Sequence, residues 1–414
     1  MSAAIAARID EARLWARHMS LARHGATAAG GVNRQALSPE EASARREVTG
    51  WASALGLKAS TDAAGNLFLR LEGTDPSAAP VLTGSHLDSQ PTGGKFDGVY
   101  GALAGLESVE AMIDAKVRPR RSIEIVAWMN EEGSRFVPGM MGSAAFAGAM
   151  PLEEILGIRD AAGVSVAEGL AAMKQAFPEV PERALGGPVK AYVEAHIEQG
   201  PILEREGFTI GIVTGIQGKR TFRVTVTGEE AHAGTALRRD RKDALLAATQ
   251  MVQGLAAVMH DAEDVVKFTV GRFTVQPNAP SVVPSSVVFS IDLRHPDSAV
   301  LQSLGDRIPE ICAAQAGPCE VKSEELTTAM SLEFPPAMRQ LIGACAERVG
   351  VRSMEILSAA GHDARYLHTV CPTGMIFVPC KDGISHNEAE SATPSDLADG
   401  ARVLAEALLE LSRD

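Results

Sequence analysis

Three features that would point to other classes of protein are missing from this 414-residue sequence. The five cysteines form an odd, scattered set without a CxxC pair, so neither a disulfide framework nor a structural zinc ribbon is expected, and a reducing compartment fits. The net charge of −13 argues against a nucleic-acid or acidic-membrane partner, because binding phosphate groups requires a basic face. No apolar run approaches transmembrane or signal-peptide length. We therefore expect a cytoplasmic protein without a membrane partner.

The order of sequence patterns predicts two domains. Strand patterns at residues 66–71, 81–86, 122–129 and 189–193 alternate with helical patterns, which predicts an α/β domain with a central, mostly parallel sheet. From residue 220 the order changes to β-α-β-β-α-β, with one strand expected at 265–273; this order is typical of a small ferredoxin-like α+β domain. We therefore predict a catalytic α/β domain of residues 1–214 and 330–414, interrupted by an inserted satellite domain of residues 215–329.

Ionisable side chains cluster just beyond the predicted strand ends. Open α/β sheets build their sites at the carboxyl ends of strands, so these clusters can converge there. Three imidazoles and two carboxylates suit two divalent ions, with a further carboxylate left to act as a general base on water. A single histidine or glutamate at a strand end is more often structural, so the prediction depends on the whole set: His86 with Asp97, Glu131 with Glu132, His196 with Glu198, and His386.

Six motifs carry a resemblance to a known family. They are GSHLDSQPTGGKFDGVYG from Gly84, NEEGSRF from Asn130, EAHIEQGPILE from Glu194, AHAG from Ala231, GHDA from Gly361 and MIFVPCKDGISHNEAE from Met375. Together and in this order they resemble the hydantoinase/carbamoylase amidase branch of the M20 dinuclear metallopeptidase superfamily. The resemblance covers nearly the whole chain. Members of this branch hydrolyse N-carbamoyl-L-amino acids, N-carbamoyl-β-alanine or allantoate.

The resemblance implies roles for individual residues. It implies two divalent ions per subunit, zinc first, with manganese, cobalt or nickel as alternatives. Glu131 matches the general base, and Asp88 matches a carboxylate that orients His86. The implied metal ligands are His86, Asp97, Glu132, His196 and His386, with Asp97 between the two ions.

Further matches imply substrate contacts and a homodimer. His232 resembles a histidine that reaches the partner subunit's site and polarises the scissile carbonyl. Arg294 matches an arginine that grips the substrate carboxylate, and an ion pair with Asp292 is its structural alternative. Gln199, Gly361 and His362 match substrate-contacting positions.

Two positions depart from the family pattern. Ser281 stands where the family has an asparagine before Val-Val-Pro, so either Ser281 or Asn278 is expected to contact the ligand. Residues 235–238 read Thr-Ala-Leu-Arg where the family has Pro-Thr-Pro-Met, which affects the loop that carries His232.

The sequence thus predicts a metal-dependent amidohydrolase that cleaves the ureido C–N bond of N-carbamoyl amino acids to amino acid, ammonia and carbon dioxide. Allantoate is the alternative substrate. A dipeptidase or aminoacylase of the same superfamily is a weaker alternative, because GHDA and EQGP argue against it. The third alternative is a non-catalytic binding protein of the same fold. It is disfavoured because every expected metal-ligating residue, and Glu131, is present in the sequence.

Overall fold

The computed structural model describes residues 3–413. Met1, Ser2 and Asp414, which the predicted catalytic domain includes, lie outside this range. The chain forms two compact units: one ends at Thr214 and resumes at Phe334, and the other spans Gly215–Glu333. The second unit ends four residues beyond the predicted boundary at residue 329, because Leu332 and Glu333 pair with Ile216 and Gly215.

The described residues form strands and helices in both units. The strands are β1 (Lys58–Thr61), β2 (Leu67–Leu71), β3 (Val81–His86), β4 (Ile123–Trp128), β5 (Ala191–Ile197), β6 (Ile210–Ile216), β7 (Gly218–Thr227), β8 (Ala231–His232), β9 (Lys267–Thr269), β10 (Phe273–Gln276), β11 (Val282–Val283), β12 (Ser286–His295), β13 (Glu320–Ala329), β14 (Leu332–Glu333), β15 (Ser353–Ser358) and β16 (Thr373–Val378).

The helices are α1 (Ala3–Ala6), α2 (Glu11–Leu21), α3 (Pro39–Ala54), α4 (Val99–Asp114), α5 (Met141–Phe146), α6 (Leu152–Gly157), α7 (Val166–Ala176), α8 (Ile202–Glu206), α9 (Ala244–Met259), α10 (Ser298–Ala314), α11 (Pro336–Val349), α12 (Ala364–Leu367) and α13 (Pro394–Leu411), with 3₁₀ turns at Arg238–Asp240 and Lys381–Gly383. Asp10 caps α2 by accepting a hydrogen bond from the Arg13 amide.

The first unit is built on a mixed sheet with a parallel centre. Its strand order is β1-β2-β4-β3-β5-β16-β6, and the neighbours among β4, β3, β5 and β16 run parallel. The outer strands β1, β2 and β6 pair antiparallel. This arrangement confirms the predicted mixed α/β fold with a mostly parallel central sheet.

Burial explains why the four central strands contain so many apolar residues. Every residue of β3, β4, β5 and β16 is buried, as expected for strands covered by helices. Helices α4 and α13 contribute most of their length to the same core. The carboxyl ends of β3, β4 and β5 therefore lie at one edge, where His86, Trp128 and His196 stand near the strand ends.

The second unit contains an antiparallel sheet with the strand order β10-β12-β7-β13. Alternate residues of β7 and β12 are buried, and they pack with α9 and α10 in one apolar core. The single strand predicted at 265–273 is wrong: β9 and β10 are separate segments that both pair with β12. Gly271 lies between them, and the Arg272 amide donates to Ser290 Oγ.

Across residues 3–413, none of the helices combines the length and apolar character that crossing a membrane would require.

Substitution of Gly84, in the middle of β3, tests how tightly the central sheet is packed. Its φ is +135°, and a Cβ at this position would lie 2.0 Å from the Val126 carbonyl oxygen. We expect Gly84→Ala to lower the free energy of unfolding by about 2–5 kcal/mol, because backbone strain and overpacking add. Urea unfolding followed by circular dichroism measures this change.

Gly50→Ala is the matched control. Gly50 lies in α3, and a Cβ there would meet nothing within 4 Å. The same substitution should raise stability by about 0.5–1 kcal/mol, since alanine is the better helix former. Equal effects of the two substitutions would contradict this account of Gly84.

Candidate metal centre and catalytic residues

Three predicted ligands meet at the carboxyl edge of the central sheet. His86 ends β3, His196 lies near the end of β5, and Asp97 stands in the glycine-rich loop before α4. Asp97 Oδ1 lies 3.2 Å from His196 Nε2 and 3.8 Å from His86 Nε2. All three side chains are buried. The structure therefore brings together residues that are far apart in sequence.

The other oxygen of Asp97 faces a second pair. Asp97 Oδ2 lies 3.3 Å from His386 Nε2, and the same nitrogen lies 3.3 Å from Glu132 Oε2. Asp97 thus stands between two clusters, one on each of its carboxylate oxygens. All five predicted ligands belong to these two clusters.

Backbone carbonyls fix the orientation of two of the imidazoles. His86 Nδ1 lies 2.9 Å from the Asp88 carbonyl oxygen, and His196 Nδ1 lies 2.8 Å from the Ile197 carbonyl oxygen. A carbonyl can only accept, so each Nδ1 carries a proton. The Nε2 lone pairs can then face Asp97, which is the tautomer that a metal-binding histidine needs.

The turn after β4 gives the two adjacent glutamates different partners. Glu131 Oε2 lies 3.5 Å from His86 Nε2, whereas Glu132 faces His386. Asn130 adopts φ +53°, a left-handed conformation that asparagine tolerates better than most residues. Its side-chain amide donates to the carbonyl oxygens of Phe136 and Pro138, which anchors the loop.

Asp88 has a different role from the one predicted. The backbone carbonyl of Asp88 orients His86, while its carboxylate lies 3.7 Å from His86 Nδ1. The carboxylate instead accepts hydrogen bonds from the amides of Glu131 and Glu132, at 3.3 and 3.2 Å. Asp88 therefore positions the two glutamates, because charged acceptors bind backbone amides strongly.

The carboxylates of the site crowd negative charge into a buried space. Burial, together with the nearby charges of Asp363 and Glu132, raises the pKa of Glu131 well above its usual range. Burial and the charge of Asp97 raise the pKa of Glu132 to about 8. Such shifts mean that negative charge here lacks compensation from the protein itself.

The pKa values of His196 and His386 are raised, whereas burial lowers the pKa of His86 to about 4. Burial also acts to lower the pKa of His196, but the hydrogen bond to Asp97 and the charges of Asp97 and Glu194 together outweigh burial and raise this pKa to about 9. The hydrogen bond to Asp97 likewise raises the pKa of His386 to about 9. Positive charge is therefore stabilised on both sides of Asp97. Imidazole nitrogens and carboxylate oxygens are also the donors that zinc and similar ions prefer, so the residues present fit two divalent cations.

The predicted residues of the second unit lie on and around two short strands. His232 pairs with Val282 between β8 and β11, and its side chain is exposed. His232 Nδ1 accepts hydrogen bonds from the amides of Gly234 and Thr235, both at 3.1 Å. Nε2 is therefore the protonated nitrogen and is a hydrogen-bond donor.

Arg294 forms an ion pair with Asp292, the structural alternative to a substrate contact. Its Nε and Nη2 donate to Asp292 Oδ1 and Oδ2, at 2.8 and 3.2 Å. The two side chains lie on the same face of β12, which is why they meet. Lys219 Nζ also lies 3.3 Å from Asp292 Oδ2, so two cationic side chains contact this carboxylate.

Ser281 and Asn278 occupy the connection between β10 and β11. Both are exposed, and Asn278 has φ +58°. The Ser281 carbonyl oxygen accepts a hydrogen bond from the Ala233 amide at 3.0 Å, which ties this segment to the loop of His232. A ligand contact by either side chain stays a prediction.

Gln199 and His362 lie beside the ligands in this structure. Gln199 Nε2 donates to Asp97 Oδ2 at 2.9 Å. His362 is buried, bonds to Ser358 Oγ through Nε2, and packs edge-on against His196 with ring centres 4.6 Å apart. The substrate contacts predicted for these two and for the exposed Gly361 stay predictions.

Gln90 was not singled out as a site residue from sequence. Its side-chain amide donates to Glu132 Oε2 at 2.8 Å, and its backbone amide donates to Glu132 Oε1 at 3.2 Å. Its position could have indicated a site residue, since Gln90 lies within the first motif between His86 and Asp97. Its amide chemistry alone did not reveal that it faces Glu132.

The mostly parallel sheet and the clustered imidazoles and carboxylates at its edge define a metal-dependent hydrolase class. Residues 82–410 match the family described as Peptidase family M20/M25/M40. The chain belongs to this family, which confirms the resemblance found in the motifs.

Individual proteins similar to this chain include proteins named as amidohydrolases and a solved amidase structure. An N-carbamoyl-L-amino-acid amidohydrolase of Rhizobium meliloti is 40% identical over 407 residues, covering 97% of each chain. An allantoate amidohydrolase of Bacillus subtilis is 35% identical over 398 residues, covering 95% of each. A solved structure of a hydantoinase/carbamoylase family amidase from Burkholderia multivorans is 44% identical, with a TM-score of 0.89 and 98% of each chain covered.

Because Asp97 lies between the two clusters, we predict that replacing it weakens cation binding at both. We expect the protein, after removal of bound metal with a chelator, to take up two zinc ions per chain. We expect Asp97→Asn to weaken the binding of both ions. At a zinc concentration of 100 times Kd, each site should add about 2.7 kcal/mol to the free energy of unfolding. Calorimetric titration and thermal denaturation with and without zinc measure these effects.

Asp382→Asn is the control, because Asp382 is an exposed acid in the same chain segment as His386. It should bind two ions as the wild type does. Unchanged binding in Asp97→Asn would contradict the arrangement described.

Proposed function

We propose that the protein is a metal-dependent amidohydrolase that cleaves the ureido C–N bond of N-carbamoyl-L-amino acids, releasing amino acid, ammonia and carbon dioxide. The observation that carries this proposal is the placement of Asp97 between two histidine–carboxylate clusters, with Glu131 beside them. The full-length similarity to the Rhizobium meliloti amidohydrolase supports the substrate class.

Five side chains would hold two divalent ions, zinc before manganese, cobalt or nickel. His86 and His196 would bind one ion, Glu132 and His386 the other, and Asp97 both; the grouping follows their distances to the two Asp97 oxygens. Bound divalent cations would supply Lewis-acid polarisation of the ureido oxygen and a water of lowered pKa.

Glu131 is the proton carrier of the proposed reaction. Its side chain is 10% exposed and reaches to within 3.5 Å of His86 Nε2. Burial and neighbouring carboxylates raise its pKa, and a carboxylate of raised pKa accepts a proton more readily. Glu131 takes a proton from the attacking water and delivers it to the leaving nitrogen, so it ends the cycle unprotonated.

The second unit would be a ferredoxin-like satellite domain that mediates homodimerisation and completes the partner subunit's site. The protonated Nε2 of His232 is suited to stabilise the oxyanion of the ureido group, since its Nδ1 is already occupied by two amides. Arg294 would bind the substrate carboxylate; the second cationic side chain on Asp292, that of Lys219, supports this role. Ser281 or Asn278 would add a polar contact.

Allantoate is the second candidate substrate, favoured by the similarity to the Bacillus subtilis enzyme. The deciding experiment measures ammonia release from N-carbamoyl-L-amino acids, N-carbamoyl-β-alanine and allantoate by protein stripped and reloaded with each metal. We expect turnover of N-carbamoyl-L-amino acids, and we expect Glu131→Gln to lower kcat about 10²–10⁴-fold while binding the same number of ions. Turnover of dipeptides alone would overturn the proposal.

The dimer proposal predicts complementation between two inactive variants. His232→Ala and Glu131→Ala should each be inactive alone. Random reassociation of equal amounts should restore about a quarter of wild-type activity, because half of the dimers would each contain one complete site. Ammonia release before and after mixing, with size-exclusion chromatography as the check on exchange, measures this. Exchange without recovery would show that His232 does not act in the partner's site.

A further inference from the structure

Glu390 links the two loops that present Asp97 and His386. It is buried, with 4% of its surface exposed. Glu390 Oε1 accepts hydrogen bonds from the backbone amides of Phe96 and Asp97, at 2.9 and 3.1 Å. Its Oε2 accepts one from Ser385 Oγ at 3.2 Å. One carboxylate therefore connects segments that lie 293 residues apart in sequence.

Ser385 extends this connection to the Asp97 side chain. Its hydroxyl is within 3.1 Å of Asp97 Oδ2 as well as 3.2 Å of Glu390 Oε2, so one hydroxyl hydrogen lies between two carboxylates. Gln199 Nε2 donates to both Ser385 Oγ and Asp97 Oδ2. The next residue, His386, has φ +51°, a conformation that its surroundings must stabilise.

The glycine-rich loop is shaped around Glu390. A Cβ on Gly94 would lie 2.0 Å from Glu390 Cδ, so the backbone can approach the carboxylate only because residue 94 is glycine. The backbone amides of residues 96 and 97 would otherwise lack an acceptor in a buried loop, which is unfavourable.

We propose that Glu390 is a positioning residue that presets Asp97 and His386 for cation binding. The proposal rests on the metal-ligand part of the proposed function and is independent of the substrate. Glu390 fixes the backbone of Asp97 directly and the loop of His386 through Ser385. Loss of such an outer partner typically weakens metal binding about 10–100-fold.

Variants at residue 390 separate positioning from simple folding. Glu390→Ala should weaken zinc binding about 10–100-fold. Glu390→Gln should remain within about threefold of the wild type, because its carbonyl can still accept from both amides and its NH₂ can donate to Ser385 Oγ. Glu388→Gln is the matched control, since Glu388 stands in the same loop but packs against Gly31. Calorimetric zinc titration of the full-length chelated protein, and the absorption spectrum of its cobalt form, are the measurements.

The outcomes are distinct. Weak binding in Glu390→Ala with binding preserved in Glu390→Gln supports the proposal, and wild-type affinity in a folded Glu390→Ala overturns it. If Glu390→Ala does not fold, Glu390→Asp tests the proposal instead. The shorter aspartate side chain cannot reach both loops, so a wild-type affinity for zinc in Glu390→Asp would also overturn the proposal. Failure of the wild type itself to bind cations would instead refute the proposed function.

Discussion

The structure depends on one carboxylate, Asp97, whose two oxygens face imidazole nitrogens from different parts of the chain. This side chain is buried, and so are carboxylates around it, which makes the region strongly acidic. A buried negative cluster is costly unless positive charge compensates it. Asp97 raises the pKa of His196 and of His386, so positive charge is stabilised beside both of its carboxylate oxygens.

The parallel sheet brings the predicted metal ligands close to one another. Irregular backbone in the loops then orients the ligands that do not lie on strands. His86 and His196 leave buried strands whose direction is fixed by pairing, so their placement needs little else. The other side chains come from loops, and three residues there adopt left-handed backbone conformations: Asn130, Gln199 and His386. Such conformations are costly for residues with side chains and persist where surroundings enforce them. Gln199 and His386 both contact Asp97, so backbone strain here accompanies the placement of side chains around this carboxylate.

Sequence predicted the elements whose residue pattern has a regular period. The buried strands around Val81 and Ile125 lie close to where the patterns placed them. Strand β6 was missed, because its glycines and threonine interrupt an otherwise apolar run. The ligand set could be named because motifs specify residue types at strand ends.

Hydrogen-bond partners were beyond the reach of the patterns. The sequence placed Asp88 near His86, but only the fold shows that its carbonyl bonds the imidazole while its carboxylate accepts from two other amides. Arg294 likewise could face a ligand or Asp292, and alternation along a strand permits both. Choices of this kind depend on distances of a few tenths of an ångström, which residue order does not encode. Glu390 belongs with them, since its role depends on the close approach of Gly94.

The residues proposed to bind the cations and the residues of the second unit proposed to contact substrate belong to different segments of the chain. The five predicted ligands and Glu131 would act on the ureido group, which N-carbamoyl amino acids and allantoate share, so they would not distinguish these substrates. The departures from the family pattern fall instead at Ser281 and at residues 235–238, and these two segments are joined by the Ala233–Ser281 hydrogen bond. A change in one therefore shifts the other, together with His232 between them. Differences in substrate preference within this family are accordingly expected to follow the short β8–β11 pair rather than the cluster around Asp97.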